Sequence, residues 1–260
     1  MKLGIITDIH EDVNMLQEIL KLAAVHKCDE LACLGDIVGF DHRFYSYNTE
    51  RSANKCLNLI RSNCRWIVAG NHDLFAGERF PSYSNGFEYP HQWFSLTTEE
   101  RKIASRGKVW SYDGDAPNDL AENDLLFLKS LPEYILASVS GIACLFSHYL
   151  FPDFSGSTTR YIERNRHLKG HWEFMNLHGV KFSFSGHSHT SFTGFAYPRK
   201  KNGAASFLKA IHSVPSDCFN LGDEMVVILL PPLAGENGRT GFSIMDSDSM
   251  SLNIISTNIV

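Results

Sequence analysis

The chain alternates short apolar runs with segments whose apolar residues recur at helical spacing. The runs KLGII, LACL and WIVA, at residues 2–6, 31–34 and 66–69, predict buried strands. Between them, apolar residues at every third or fourth position predict helices over residues 13–26 and 52–61. This order of strand, helix, strand, helix and strand is typical of a parallel sheet with crossover helices. This part of the chain therefore predicts an α/β fold.

The remaining sequence predicts further strands and helices around one irregular stretch. Strands are expected in LPEYILAS, GIACLFSH, KFSFS, SFTGFAY, EMVVILL and TGFSIMD, and helices over residues 98–106, 122–128 and 161–177. Residues 76–130 are otherwise rich in aromatic and polar turn residues, and we expect them to shape the rim of a pocket. Because no repeat or linker interrupts the pattern, we predict a single domain over residues 1–260.

Composition and charge narrow the range of partners. With 43% hydrophobic residues, the 260-residue chain can bury a substantial core. A net charge of −5 disfavours a surface that binds phosphate backbones, so nucleic acid is not an expected partner. Six scattered cysteines without a C-x-x-C pair, and no apolar run of about 18 residues, predict a cytoplasmic protein without membrane contact. The sequence does not decide whether the chain forms a homo-oligomer.

Polar side chains that can bind metal follow the predicted strands where each strand ends. They are Asp8 and His10, then Asp36, then Asn71, His72 and Asp73, then His148, and finally His187 and His189. In an open α/β sheet the carboxyl ends of the strands line the ligand crevice. Residues i and i+2 of an extended segment point the same way, so each D-x-H or H-x-H pair can offer two ligands. Aspartate and histidine without cysteine indicate an open catalytic metal centre.

Taken in order, these residues form a five-part motif: D-x-H, G-D, G-N-H-D, H and G-H-x-H. The motif resembles that of the calcineurin-like metallophosphoesterases, over residues 3 to about 197, and GDIVGF is similar to their small prokaryotic phosphodiesterase-like branch. The resemblance implies a four-layer α/β/β/α sandwich of the metallophosphoesterase type. It also implies two divalent metal ions, Mn, Fe, Ni or Zn. One ion would be held by Asp8, His10 and His189, the other by Asn71, His148 and His187, and Asp36 would bridge them.

The same resemblance implies a hydrolase whose substrate is a small phosphate ester. A hydroxide that bridges the two metals would attack a phosphomonoester or phosphodiester. His72 would stay off the metals and donate a proton to the departing oxygen. A carboxylate should orient the protonated ring, and both Asp73 and Asp41 are candidates. Candidate substrate contacts are His42, Arg43, Arg160 and Arg164, although ordinary surface charge explains these four equally well.

Two alternatives remain at this point. One is a catalytically weak or inactive metal-binding scaffold of the same fold, and the other is a nuclease of the same superfamily. The presence of His72 argues against a scaffold, because a purely structural site has no use for a proton donor. The acidic net charge argues against a nuclease.

Overall fold

A computed structural model describes residues 1–45, 50–190, 192–198, 210–235 and 240–256. Its strands are β1 (Lys2–Ile6), β2 (Glu30–Cys33), β3 (Trp66–Ile67), β4 (Tyr134–Val139), β5 (Ile142–Ser147), β6 (Phe182–Ser185), β7 (Thr193–Ala196), β8 (His212–Val214), β9 (Cys218–Asn220), β10 (Val226–Leu229), β11 (Gly241–Asp246) and β12 (Ser251–Ser256). Its α-helices are α1 (Val13–Val25), α2 (Ala53–Asn63), α3 (Asn71–Ala76), α4 (Thr98–Ser105), α5 (Glu122–Ser130) and α6 (Lys169–Leu177). Residue 191, the first of the predicted strand SFTGFAY, lies outside the described residues.

The strands form two mixed sheets. The first has the order β3-β2-β1-β11-β12-β9, in which β1, β2 and β3 run parallel to one another. The second has the order β4-β5-β6-β10-β7-β8, in which β5, β6 and β10 are parallel. Both parallel sets place the carboxyl ends of their strands at one edge, where loops can gather side chains.

Three apolar cores separate four layers. Leu3 and Ile5 of β1 pack between the sheets against aromatic residues such as Phe184. Ile6 faces the other way, into the core under α1 and α2. Helix α6 covers the second sheet through Met175. The predicted α/β class is thereby confirmed, with helices outside both sheets.

Local signals explain where the first two helices begin. The Asp12 carboxylate accepts a hydrogen bond from the Met15 N–H at the start of α1, and the Ser52 hydroxyl accepts one from the Lys55 N–H at the start of α2. Asp12 lies directly before the predicted helix over residues 13–26, and Ser52 is the first residue of the predicted helix over residues 52–61.

One predicted helix is shorter than expected. The structure begins α6 at Lys169, after a 3-10 helix over Asn165–Leu168, whereas the pattern predicted a helix from residue 161. The reason is tertiary packing: the Tyr161 ring stacks on His187, 5.8 Å between centroids, and the Ile162 N–H donates to the Tyr149 hydroxyl.

The prediction of a single domain over residues 1–260 stays a prediction.

In the described part of the chain, none of the helices has the length and apolar character needed to cross a membrane.

Candidate metal centre

The candidate ligands lie in the loops that follow five strands. Asp8 and His10 follow β1, Asp36 follows β2, Asn71 begins α3 after β3, His148 follows β5, and His187 and His189 follow β6. The structure brings these side chains together, because the parallel strands of both sheets end at the same edge.

The backbone at these ligands is turned rather than extended. Left-handed φ angles occur at Asp8 (54°), His10 (48°), Asp36 (50°), His187 (64°) and His189 (44°). The expectation that each pair projects from an extended segment is therefore wrong in this detail, because both segments turn beyond the strand end. Non-glycine residues in this region are strained and persist where surrounding contacts fix them. Here the N–H groups of Ile9 and His10 donate to the Asp36 carbonyl at 2.8 and 3.0 Å.

Gly70 makes close approach of two loops feasible. A Cβ atom at this position would lie 2.2 Å from Asp36 Oδ1, which only a missing side chain avoids. Gly70, which precedes the N-H-D residues, therefore allows the Asp36 side chain to approach in addition to forming the turn at the end of β3.

The first ligand group consists of Asp8, His10 and His189. His189 Nε2 lies 3.1 Å from Asp8 Oδ1 and 3.2 Å from His10 Nε2. His10 Nδ1 lies 2.8 Å from the Gly39 carbonyl oxygen, which can only accept a hydrogen bond. Nδ1 therefore carries the proton, and His10 Nε2 presents its lone pair to the group.

The second ligand group consists of Asp36, His148 and His187. His148 Nε2 lies 3.0 Å from Asp36 Oδ2 and 3.3 Å from His187 Nδ1. His148 Nδ1 donates to the Leu34 carbonyl oxygen at 2.8 Å, which leaves Nε2 directed at the group. Asp36 Oδ2 is also 3.9 Å from His10 Nε2, so this carboxylate stands between the two groups.

The donor atoms fit divalent cations. Asn71 Oδ1 is buried and makes no hydrogen bond among the described residues, and the buried Asp8 Oδ1 lies 3.1 Å from the His189 imidazole nitrogen. Buried polar atoms are nearly always paired, so an unpaired amide oxygen and a carboxylate beside converging imidazole nitrogens fit a cation site. Carboxylate, amide and imidazole ligands together suit first-row divalent metals.

The electrostatics of the two groups favour metal binding at Asp36, His10 and His187 and oppose it at His148. Burial by itself would raise the pKa of Asp36, but the His148 and His72 imidazoles hold it well below its usual range. Burial lowers the pKa of His10 and of His187 to about 3, so both rings are neutral at neutral pH. Burial also opposes the charge of His148, yet Asp36 and Asp8 outweigh it and raise its pKa to about 9. A metal must displace that proton when it binds.

His72 stands beside the groups and is held by a carboxylate from the irregular stretch. Its Nδ1 lies 2.8 Å from Asp115 Oδ2, and its side chain is 20% exposed. Burial alone would lower the pKa of His72, but Asp115 and Asp36 reverse the effect and raise it to about 10. His72 is also close enough to His10 and Asp36 to count as a third potential ligand group.

The two carboxylates that the sequence offered as partners of His72 make other contacts. Asp73 accepts hydrogen bonds from the N–H groups of Ile37, Val38 and Gly70, at 2.9 to 3.2 Å, so it fixes the loop after β2 and caps α3. Asp41 accepts from the Arg43 backbone and guanidinium. The expectation of Asp73 or Asp41 as the orienting group is thus corrected to Asp115. A short antiparallel bridge between Asp41 and Asp115 brings that residue in, and no sequence signal marks it.

A cavity of about 760 Å³ opens over both ligand groups. Part of the irregular stretch, from Lys102 to Asp115, lines it, as do Tyr45 and Tyr161. An aromatic-rich rim was expected from residues 76–130, and Trp110 and Tyr112 supply it, whereas the contribution of Tyr45 and Tyr161 from outside that stretch was not predicted. The Tyr45 ring stacks on His10, with centroids 4.6 Å apart.

Of the four candidate substrate contacts, Arg43 lines this cavity. Its guanidinium donates hydrogen bonds to Asp41 and Asp113, at 2.5 to 3.1 Å. His42 is exposed and packs edge-on against Phe40, Arg160 lines a separate small cavity, and Arg164 is exposed ahead of the 3-10 helix.

Comparisons with known proteins agree with this geometry. Residues 1–191 match the family described as calcineurin-like phosphoesterase. An uncharacterized protein of Methanocaldococcus jannaschii is 28% identical over 171 residues, which are 61% of this chain and 58% of that protein. The chain thus spans less than two thirds of the length of this curated relative.

Two solved structures share the fold. A metallophosphoesterase from Sphaerobacter thermophilus superposes with a TM-score of 0.65 at 21% identity, covering 99% of this chain and 88% of that one. A hypothetical protein from Pyrococcus horikoshii gives a TM-score of 0.59 at 12% identity, covering 98% and 87%. Since the family match extends over well more than half of the sequence, the chain belongs to the calcineurin-like phosphoesterase family.

Proposed function

We propose that the chain is a dinuclear metal-dependent phosphoesterase that hydrolyses a small phosphomonoester or phosphodiester. The observation that carries this proposal is the position of Asp36, whose Oδ2 lies 3.0 Å from His148 Nε2 and 3.9 Å from His10 Nε2. One carboxylate between two ligand groups is the arrangement that two neighbouring cations require. The groups also form the floor of a cavity large enough for an organic substrate.

In this proposal each side chain has a defined duty. Asp8, His10 and His189 would hold one divalent ion, and Asn71, His148 and His187 would hold a second, with the Asp36 carboxylate standing between the two groups. Such ions, when bound, lower the pKa of a coordinated water and neutralise charge on phosphoryl oxygens. The carbonyls of Gly39 and Leu34 keep His10 and His148 in the tautomer that ligation needs.

His72 is the proposed proton donor to the leaving oxygen. Because Asp115 engages Nδ1, Nε2 is the nitrogen that remains to donate. The charge of Asp115 keeps the ring protonated next to a site that cations would otherwise make unfavourable for it. The ring is also fixed from the side, since Tyr112 meets it edge-on with centroids 5.2 Å apart.

The cavity supports a substrate whose organic group is bulky. Its volume of about 760 Å³ lies in the range of sites that bind whole drug-sized molecules, far beyond a phosphate ion. Tyr45, Trp110 and Tyr161 give its wall aromatic surface. A net charge of −5 supports a small ester rather than a nucleic acid as the partner.

The direct test compares metal-free protein with protein supplied with Mn²⁺, Fe²⁺, Ni²⁺ or Zn²⁺. We expect hydrolysis of p-nitrophenyl phosphate or bis-p-nitrophenyl phosphate with at least one metal, and loss of turnover after chelation. Chelation should also lower the melting temperature, because a ligand bound only by the folded state stabilises it. Metal-dependent stability without turnover of either ester would instead favour the inactive scaffold.

Replacing Asp115 with asparagine should weaken catalysis without removing metal. We expect kcat to fall by about 10- to 100-fold, as part of the roughly 10²- to 10⁴-fold that a positioned general acid contributes. KM and metal content should stay near their wild-type values, because Asp115 contacts His72 rather than the ligand groups.

Asp119→Asn is the matched control. Asp119 lies four residues further along and accepts a hydrogen bond from the Asn54 N–H, away from the cavity. Equal kcat values for both variants would contradict the role assigned to Asp115.

A further inference from the structure

Gly39 contacts two of the central histidines at once. Its carbonyl oxygen accepts the hydrogen bond from His10 Nδ1 at 2.8 Å. Its Cα faces the other ring, since a Cβ built there would lie 2.3 Å from His72 Nδ1. The orientation of this one peptide therefore affects both a candidate metal ligand and the proposed proton donor.

Glu11 holds that peptide in place. The side chain is 1% exposed, and its Oε1 accepts hydrogen bonds from the N–H groups of Gly39 at 3.1 Å and Phe40 at 3.4 Å. Glu11 itself has a φ of 69°, in the left-handed region that favours glycine. A non-glycine residue keeps such a strained backbone conformation only where surrounding contacts fix it.

Arg51 extends this contact to the segment that carries Asp115. Its Nε lies 3.4 Å from Glu11 Oε2, and its Nη2 donates to the Pro117 carbonyl at 2.6 Å. The guanidinium also covers the Phe40 ring at 5.0 Å. Nearby, the Ala116 N–H donates to the Phe40 carbonyl at 2.7 Å. Glu11 and Arg51 thus connect the Gly39 turn with residues 116 and 117.

We propose that Glu11 is a positioning residue of the metal centre, which sets the ring of His10 and the packing of His72 by fixing the peptide of Gly39. This inference rests on the proposed function, because it takes His10 as a metal ligand. Glu11 touches neither ligand group through its carboxylate; it acts through the two amides that it binds.

Two variants separate the carboxylate from the backbone strain. Glu11→Gly removes the acceptor but suits the left-handed φ, so the fold should be kept or stabilised. Glu11→Gln keeps an acceptor oxygen for both amides. By titration calorimetry of metal-free protein with Mn²⁺, we expect Glu11→Gly to raise Kd by about 10- to 100-fold, the usual effect of losing an outer partner of a ligand. Glu11→Gln should recover most of that loss.

A second readout needs no metal. In metal-free wild-type protein, ¹⁵N NMR should show the His10 ring as the Nδ1–H tautomer, and the Gly39 amide should exchange slowly with solvent. Glu11→Gly should accelerate that exchange and mix the tautomers, whereas Glu11→Gln should preserve both properties.

Glu133→Ala is the matched control for a purely structural role. Glu133 is also buried and paired with an arginine, Arg79, and it accepts from the Ser82 N–H at 2.8 Å, outside the cavity lining. We expect it to lower the melting temperature and leave the Mn²⁺ affinity unchanged.

The outcomes are distinguishable. If wild-type protein binds none of Mn²⁺, Fe²⁺, Ni²⁺ and Zn²⁺, the proposed function fails, and the inference with it; if it binds one of the other three ions but not Mn²⁺, that ion replaces Mn²⁺ in the titrations. If the wild type binds Mn²⁺ and Glu11→Gly binds it equally well, only the inference is overturned. A Glu11→Gln variant as weak as Glu11→Gly would also overturn it, because the amide contacts would then not be the cause.

Discussion

Replacing Asp36 with alanine should lower kcat/KM for phosphate esters by about 10³-fold or more, since in the proposed function it holds metals that would contribute several kcal/mol to the transition state. Asp36 Oδ2 lies 3.0 Å from His148 Nε2 and 3.9 Å from His10 Nε2, and its Oδ1 accepts a hydrogen bond from the backbone N–H of His72 at 2.9 Å. Removing it leaves the second group with imidazoles alone and Asp8 as the remaining carboxylate of the two groups, so much of the negative charge that draws cations there is lost. Metal content after desalting, measured by mass spectrometry, should fall together with activity.

Two further variants make this result interpretable. Asp36→Asn keeps the shape and the acceptor for the His72 N–H but loses the charge, so we expect nearly the same loss. Asp124→Ala removes a buried carboxylate that caps α5 through the Ala121 N–H, away from the cavity. It should reduce stability and leave metal content intact. An Asp36→Ala protein that keeps its metal and more than a tenth of wild-type turnover would refute the bridging role.

The ligand positions were accessible from the sequence because they follow from local patterns. The spacing of the apolar residues predicted β1, α1 and β2. Helix α1 spans Val13–Val25, where the sequence predicted a helix over residues 13–26. Because β1 and β2 are parallel neighbours, Asp8 and Asp36 follow their carboxyl ends at one edge. His148 joins them from β5 of the second sheet, so its approach depends on how the two sheets pack and was indicated by the order of the motifs. Order along the chain therefore sufficed to group them.

The partner of His72 was not accessible in the same way. Asp73 was suggested because it is next to His72 in the sequence. Its carboxylate instead accepts a hydrogen bond from the Gly70 N–H at the start of α3, where amides have no partner within the helix. Asp115 comes from a stretch without periodicity, and it reaches the site through a bridge to Asp41. Contacts of this kind depend on tertiary pairing of irregular segments, which hydrophobic period does not encode. The same holds for Glu11, whose role depends on the φ of its own backbone and on the Gly39 turn.

Replacing His72 with alanine should lower kcat by about 10²- to 10⁴-fold, the contribution of a positioned general acid, while metal content stays unchanged. The second half of this prediction matters because His72 is near enough to His10 and Asp36 to be a ligand instead. Its Nδ1 is engaged by Asp115 at 2.8 Å, which favours a role in proton transfer.

The choice of leaving group separates proton donation from charge stabilisation. p-Nitrophenolate departs readily without a proton, whereas an alkoxide needs one in the transition state. We therefore expect His72→Ala to slow hydrolysis of an alkyl phosphate far more than that of p-nitrophenyl phosphate. Equal losses on both substrates would show that His72 acts on the phosphoryl charge alone, and loss of metal would make it a ligand. Because Asp115→Asn leaves the ring in place but removes the negative charge beside its Nδ1, it should reproduce the same leaving-group dependence at smaller amplitude, which a ligand role does not predict.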